Sequence, residues 1–119
     1  MTPKVLVAAS TKPLVLSILT HGKNYGYRII QEIEILSAGE LAWTDAMLYP
    51  VLKRMEKEGL ISSHWVKTES GRKRKYYEIT DLGREKLAEE RRQWLNVNRI
   101  FARLWGTDAA SFLTPNDAS

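Results

Sequence analysis

Apolar positions recur at helical spacing in the middle of the chain. Leu48, Val51, Leu52 and Met55 follow the i, i+3, i+4, i+7 spacing of a helix that packs on a core. Thr44 precedes this stripe as a helix cap, and Gly59 follows it as a terminator. The pattern therefore predicts a helix over residues 45–58. The face opposite the apolar stripe is small, aromatic and basic, and it carries Ala46, Tyr49, Pro50, Lys53, Arg54 and Lys57.

Pro50 conflicts with this helix. Proline has no amide hydrogen to bond the carbonyl group of residue 46, and it disfavours helical geometry at Tyr49. Two outcomes are expected: a bend at Pro50, or a helix that begins later than residue 45. The assignment of the two faces tolerates a small bend but not a shift in register.

The residues before Thr44 predict two more helices. Residues 4–21 are mostly apolar, and Pro13 allows either a helix that begins at Pro13 or one helix kinked there. In both alternatives Gly22 ends the helix. A second helix is predicted over residues 25–37, with Asn24 as its cap. Its buried stripe is predicted to consist of Tyr25, Ile29, Ile30, Ile33 and Leu36.

Two strands and a long helix follow the third helix. The strands are predicted at about residues 60–67 and 74–80, joined by a turn at Ser70-Gly71. Four basic residues follow the turn directly: Arg72, Lys73, Arg74 and Lys75. Thr80 caps a helix that runs from Asp81 to about Trp105. This order of elements, helices followed by a hairpin with a basic tip, is that of a winged helix-turn-helix. The predicted fold class is therefore mainly α with a small β-hairpin (α+β).

The last helix carries an apolar seam. Leu87, Trp94 and Phe101 recur every seven residues, and Val97 and Leu104 recur beside them. A seven-residue apolar repeat is typical of helices that associate with other helices, so we expect this seam to form the interface of a homodimer. The chain then divides into a winged helix-turn-helix domain at 1–80, a dimerisation helix at 81–106 and a short tail at 107–119.

Composition and charge narrow the range of functions that the chain can have. The 119 residues have a formal net charge of +4, and the basic residues cluster at 72–75, which favours a polyanionic partner. There is no cysteine, and His21 and His64 lie far apart, so no metal site is expected. No nucleophile–base set or phosphate-binding loop indicates an enzyme or a cofactor. No apolar run approaches the roughly 20 residues of a membrane span, and a cytoplasmic location is expected.

The basic helix face and the basic hairpin together predict contact with double-stranded DNA. The third helix would enter the major groove, where Tyr49, Lys53 and Arg54 reach bases or backbone, and Lys57 would meet a phosphate. The hairpin cations would lie on phosphates or in the adjacent minor groove. Tyr25 is predicted either to contact a phosphate at the start of the second helix or to belong to the core. The alternatives are a solvated hairpin tip, nonspecific DNA binding, and a protein-interaction module.

Three segments resemble the PadR family of bacterial transcriptional regulators: LYPVLKRMEKEGLI (48–61), GRKRKYYEIT (71–80) and NYGY (24–27). The similarity covers about residues 10–105. The length and the single C-terminal helix resemble the short subfamily, which includes a lactococcal multidrug-binding regulator. The resemblance implies a winged-helix homodimer that binds inverted-repeat operators, represses, and is released by a small-molecule effector. A proline after Leu48-Tyr49 is usual in this family.

The resemblance also implies an effector site. In the lactococcal relative, a tryptophan of the last helix stacks on flat drugs at the dimer centre, and Trp94 lies in the matching segment. Asn98, one turn further on, and Ala9 or Pro13 from the first segment would be its neighbours. The implied ligand is a planar aromatic molecule. The alternative is that Trp94 forms only dimer core, while Trp43, Trp65 and Trp105 are interpreted as packing residues.

Overall fold

A computed structural model describes residues 4–106, with side chains from Val7 onward. The predicted tail at 107–119 lies outside the described residues. Two compact units divide between Leu87 and Ala88, and each is described by itself. The elements, in chain order, are α1 (Lys4–Leu19), β1 (Asn24–Tyr25), α2 (Gly26–Leu36), α3 (Asp45–Lys57), β2 (Ile61–Lys67), β3 (Lys73–Ile79) and α4 (Asp81–Trp105). This is the expected α+β arrangement of a winged helix.

Helix α1 is a single helix that includes Pro13, so the alternative in which the helix begins at Pro13 is wrong. Hydroxyl groups bond to backbone carbonyls on both sides of the proline. Thr11 donates to the carbonyl of Val7, and Ser17 donates to the carbonyl of Pro13 at 2.7 Å. After the proline, α1 contributes its apolar face to the core through Val15, Leu16, Ile18 and Leu19.

The start of α2 differs from the prediction. Tyr25, rather than Asn24, is the N-cap residue, and its side chain makes no capping hydrogen bond. Asn24 instead belongs to β1, where it pairs with Tyr77 of β3. At the other end of the helix, Leu36 is 75% exposed and does not belong to the buried stripe. Ile29 and Ile33 are buried as predicted, because the helix turns only this part of its surface towards the core.

Helix α3 has the predicted two faces. Leu48, Leu52 and Met55 are buried, and Val51 is partly buried. Thr44 caps the helix by accepting a hydrogen bond from the Met47 amide at 3.2 Å. The helix begins at Asp45 and continues through Pro50, so the predicted later start is wrong. Pro50 is tolerated on the exposed side, where solvent can satisfy the carbonyl group that loses its helical partner.

The sheet is antiparallel, with strand order β1-β3-β2. In the β2–β3 hairpin Ile61 pairs with Ile79, Ser63 with Tyr77, and Trp65 with Lys75. The core of the first unit combines side chains from all three early helices and both long strands. Its buried members include Leu16, Leu19, Ile29, Ile33, Trp43, Leu48, Leu52, Met55, Ile61, Tyr77 and Leu87.

A close backbone approach joins the start of α4 to the connection between α3 and β2. The Thr80 amide donates to the carbonyl of Leu60 at 3.1 Å, and the Thr80 hydroxyl donates to the carbonyl of Gly59 at 2.6 Å. The same hydroxyl accepts from the Gly83 amide at 3.0 Å, which confirms the predicted cap. A Cβ atom at position 83 would lie 2.1 Å from the Leu60 oxygen, so only glycine fits at this position.

The second unit contains the rest of α4. Trp94 is 38% exposed, Val97 42%, Phe101 40% and Leu104 73%, so four predicted seam residues present apolar surface. The Phe101 and Trp105 rings stack with centroids 4.7 Å apart. Leu87, the remaining predicted seam residue, is instead buried in the core of the first unit. Among the described residues, no helix is both long and apolar enough to span a membrane.

We expect Gly83→Ala to destabilise the fold by about 2 kcal/mol or more, because the added methyl group must displace the Leu60 carbonyl. Thermal unfolding followed by circular dichroism measures the change. Gly26→Ala is the matched control, since its Cβ would meet only a Leu52 methyl group at 4.0 Å. A Gly83→Ala protein that unfolds at the same temperature as the wild type would contradict the close approach of position 83 to the Leu60 carbonyl.

Candidate nucleic-acid interface

The outward face of α3 is free for contact with a partner. The side chains predicted to face outward are exposed, and they are Ala46, Tyr49, Pro50, Lys53, Arg54 and Lys57. Three of these side chains are cationic, and Tyr49 is 53% exposed. The separation of the two faces follows from the buried stripe, which fixes the rotation of the helix about its axis.

The hairpin turn between β2 and β3 is closed by local hydrogen bonds. The Thr68 amide donates to the Arg72 carbonyl at 2.7 Å, and the Gly71 amide donates to the Thr68 carbonyl at 2.9 Å. Gly71 has a φ of 86°, in the left-handed region that glycine adopts without strain. Arg72, Lys73 and Lys67 are all exposed around this turn. The hairpin therefore holds a group of cations at its tip, and we call residues 61–79 the wing.

Arg74 lies against an aromatic group from another strand. Its guanidinium carbon is 4.0 Å from the centroid of the Tyr25 ring, a distance typical of a cation–π contact. The Tyr25 ring in turn meets the Tyr76 ring edge-on, with centroids 5.4 Å apart. Tyr25 is thus half-buried, and it orients one of the predicted DNA-contacting arginines. The sequence did not indicate this pairing, because β1 is only two residues long and shows no alternation.

Lys75 differs from its basic neighbours because it points back towards α3. Its ammonium nitrogen is 3.8 Å from the Glu56 Oε1 atom, and the other Glu56 oxygen accepts a hydrogen bond from the Ser63 hydroxyl. Glu56 therefore connects α3 to both long strands of the wing. Part of the positive charge of Lys75 is neutralised in this way, so Lys75 is the least available of the four predicted wing cations.

A pair of tyrosines makes a second connection between α3 and the wing. Tyr77 lies in β3 and is 3% exposed, and its side chain lies close to Tyr49 of α3, with which it shares the wall of a groove. Burial, together with the nearby Tyr49 and Glu56, raises the pKa of Tyr77 to about 12. The Tyr77 hydroxyl therefore keeps its proton throughout the physiological pH range.

A groove of about 460 Å³ lies between α3, the start of α2 and the wing. Its walls combine aromatic rings with cationic groups. The lining residues include Tyr25, Tyr27, Tyr49, Trp65, Arg74, Lys75 and Tyr77. Trp65 is 61% exposed, so its interpretation as a packing residue is wrong. The wing extends beyond the core at this point, and a strand pattern alone does not show where the body of the protein ends.

The residues predicted for an effector site lie on two helices. On α1, Ala9 is exposed and Pro13 is half-buried. On α4, Trp94 is exposed and Asn98, one turn further on, is half-buried.

A helix with an exposed basic face, followed by a hairpin with a cationic tip, defines a winged helix-turn-helix protein with a DNA-binding fold. Comparison with known proteins identifies its family. The sequence pattern of the PadR-like family of transcriptional regulators matches residues 15–89. The chain belongs to this family, whose members are transcriptional regulators and not enzymes.

Individual relatives agree with this assignment. The chain is 36% identical over 87 residues to an uncharacterized protein of Lysinibacillus sphaericus, covering 73% of this chain and 80% of the relative. It is 32% identical over 94 residues to the transcriptional regulator YqjI of Escherichia coli, covering 78% of this chain but only 44% of YqjI. The solved structure of a PadR-like transcriptional regulator (BC4206) from Bacillus cereus is 28% identical, with a TM-score of 0.76 over 88% of this chain and all (100%) of that one.

Proposed function

We propose that this PadR-family protein is a homodimeric repressor that acts in the cytoplasm. It binds an inverted-repeat operator in double-stranded DNA and is released by a planar aromatic effector. The observation that supports specific DNA binding is the combination of two exposed basic surfaces on one compact unit. One surface is the outward face of α3, and the other is the tip of the wing.

In this proposal α3 lies in the major groove. Tyr49, Lys53 and Arg54 contact base edges or backbone, and Lys57 near the end of the helix contacts a phosphate. Arg72, Lys73 and Arg74 of the wing lie on phosphates or in the adjacent minor groove. Lys75 contributes less through direct contact than through its ion pair with Glu56. The half-buried Tyr25 adds a phosphate contact at the start of α2 and supports Arg74.

Replacing Lys53 and Arg74 together with alanine should weaken operator binding by about 100-fold or more. It should also reduce the slope of log affinity against log salt concentration by about one to two. With fewer phosphate contacts, fewer counterions are released from the DNA on binding. Fluorescence anisotropy with DNA from the upstream region of the protein's own gene, at several salt concentrations, measures both quantities.

The double replacement of Arg92 and Arg99 with alanine is the charge-matched control. Both side chains are exposed on α4, on the side of the helix away from the Trp94 seam. Retained binding by the Lys53/Arg74 variant would contradict the proposed site. Equal affinity of the wild type for operator and random duplexes would instead favour a nonspecific DNA-binding protein.

The exposed seam of α4 supports the homodimer. Trp94, Val97, Phe101 and Leu104 leave substantial apolar surface in contact with solvent. A second copy of the same helix would bury this surface on both chains at once. A two-fold symmetric dimer presents two α3 helices, and for this reason the proposed operator is an inverted repeat.

Replacing Phe101 with lysine should convert the dimer to a monomer at micromolar concentration, because a charge would then be buried in an apolar seam. Analytical ultracentrifugation distinguishes the 13.7 kDa chain from a species of twice that mass. Asn96→Lys is the control, since it adds the same charge at an exposed position off the seam. A Phe101→Lys protein that remains dimeric would contradict this interface.

The proposed effector site contains Trp94 and Asn98 of α4, with Ala9 and Pro13 of α1. The exposed Trp94 indole, on a seam that a second copy would face, supports this assignment. An aromatic cation could stack on such indoles with favourable cation–π energy. Effector binding would change the spacing of the two α3 helices and so release the DNA.

A planar aromatic cation such as proflavine should quench tryptophan fluorescence of the protein, and Trp94→Ala should remove that quenching. Trp105→Phe should leave the quenching unchanged, although Trp105 is 63% exposed on the same helix. Fluorescence titration without DNA measures the effect. Equal quenching in Trp94→Ala and the wild type would contradict the effector site and would indicate that Trp94 only packs in the seam.

A further inference from the structure

Trp65 lies on the side of the wing that faces α3. Alternate residues of a strand share one face of the sheet, so Ile61, Ser63 and Trp65 lie on the same side. Their β3 partners on that side are Ile79, Tyr77 and Lys75. Ile61 is buried in the core, and the middle pair contacts Glu56 and Tyr49 of α3. The Trp65–Lys75 pair is therefore the next layer outward on a face that runs from the core towards the tip of the wing, and the Lys67–Lys73 pair lies beyond it.

The surroundings of Trp65 are both aromatic and cationic. Its ring is 5.9 Å from the Lys75 ammonium group, and it shares the 460 Å³ groove with Tyr49 and Arg74. Indole rings pack well on the apolar surface of deoxyribose sugars, while guanidinium and ammonium groups pair with phosphates. Lys75 is already paired with Glu56, and Asp45 also lines the groove, but an apolar protein segment there would leave the Arg74 guanidinium without an anionic partner, so charge complementarity favours duplex DNA.

The groove is also continuous with the proposed DNA interface, because Tyr49 and Arg74 belong to both. We propose that Trp65 is a direct DNA contact, with its indole packed on a deoxyribose where the wing meets the duplex. This inference rests on the proposed function and adds an apolar contact to an interface that otherwise consists mainly of cations. It assigns a binding role to a side chain that the strand pattern alone indicated as packing.

The test compares Trp65→Ala and Trp65→Phe with the wild type in operator-binding titrations over a range of salt concentrations. Trp65→Ala should lower the affinity about tenfold while leaving the salt dependence unchanged, because no phosphate contact is lost. Trp65→Phe should recover most of the affinity, because a smaller aromatic ring can still pack on the sugar. Ile35→Ala is the matched control, since Ile35 is 78% exposed near the far end of α2.

Hydroxyl-radical footprinting provides a second readout that does not depend on affinity. At saturating protein, Trp65→Ala should lose protection of a few deoxyriboses at one flank of each half-site, with the remaining footprint intact. Thermal unfolding of each variant checks that the fold is preserved. If Trp65→Ala does not fold stably, the footprint of Trp65→Phe replaces it in the test. That footprint should show a partial loss of protection at the same flank of each half-site.

Several results would overturn the inference. Wild-type affinity and an unchanged footprint in Trp65→Ala would do so while leaving the proposed function intact. A loss of affinity accompanied by a salt dependence reduced by about one would show that Trp65 only positions Lys75 or Arg74. A wild-type protein that binds no duplex DNA at all would overturn the proposed function together with this inference.

Discussion

The backbone contact between the start of α4 and the end of the α3–β2 connection holds the first unit together. The Leu60 carbonyl accepts from the Thr80 amide, and the absence of a side chain at Gly83 lets the backbone of α4 lie directly on that carbonyl. Thr80 simultaneously contacts Gly59 and caps α4. A few atoms therefore connect the end of α3, both ends of the wing and the beginning of α4.

A second set of contacts keeps the wing at a fixed position relative to α3. Glu56 connects to Ser63 and Lys75, and Tyr49 connects to the buried Tyr77. These contacts are polar and lie just outside the apolar core, so they specify orientation more than they add stability. The basic face of α3 and the basic tip of the wing can then meet a duplex as one preformed surface, with little ordering cost on binding.

Much of this arrangement could be predicted from the sequence because its signals are local. The apolar stripe of α3, the Thr44 and Thr80 caps and the turn within the wing all depend on residues within a few positions of one another. Contacts between residues distant in sequence could not be predicted. The cap of α2, the stacking of Arg74 on Tyr25 and the ion pair of Lys75 all depend on which strand lies beside which. Leu87 is a further example. Its position in the seven-residue repeat predicted a place in the dimer interface, but the side chain is buried in the core of the first unit.

The two faces of α3 also differ in how freely they can change during evolution. Leu48, Leu52 and Met55 are buried, so most substitutions there would be expected to cost stability. Lys53 and Arg54 are exposed, and substitutions at such positions usually change stability by no more than about 0.5 kcal/mol. Sequence drift can therefore alter the outward face while the scaffold is preserved. After gene duplication, one copy of such a protein could acquire a new target site through a few substitutions, without first passing through an unstable intermediate.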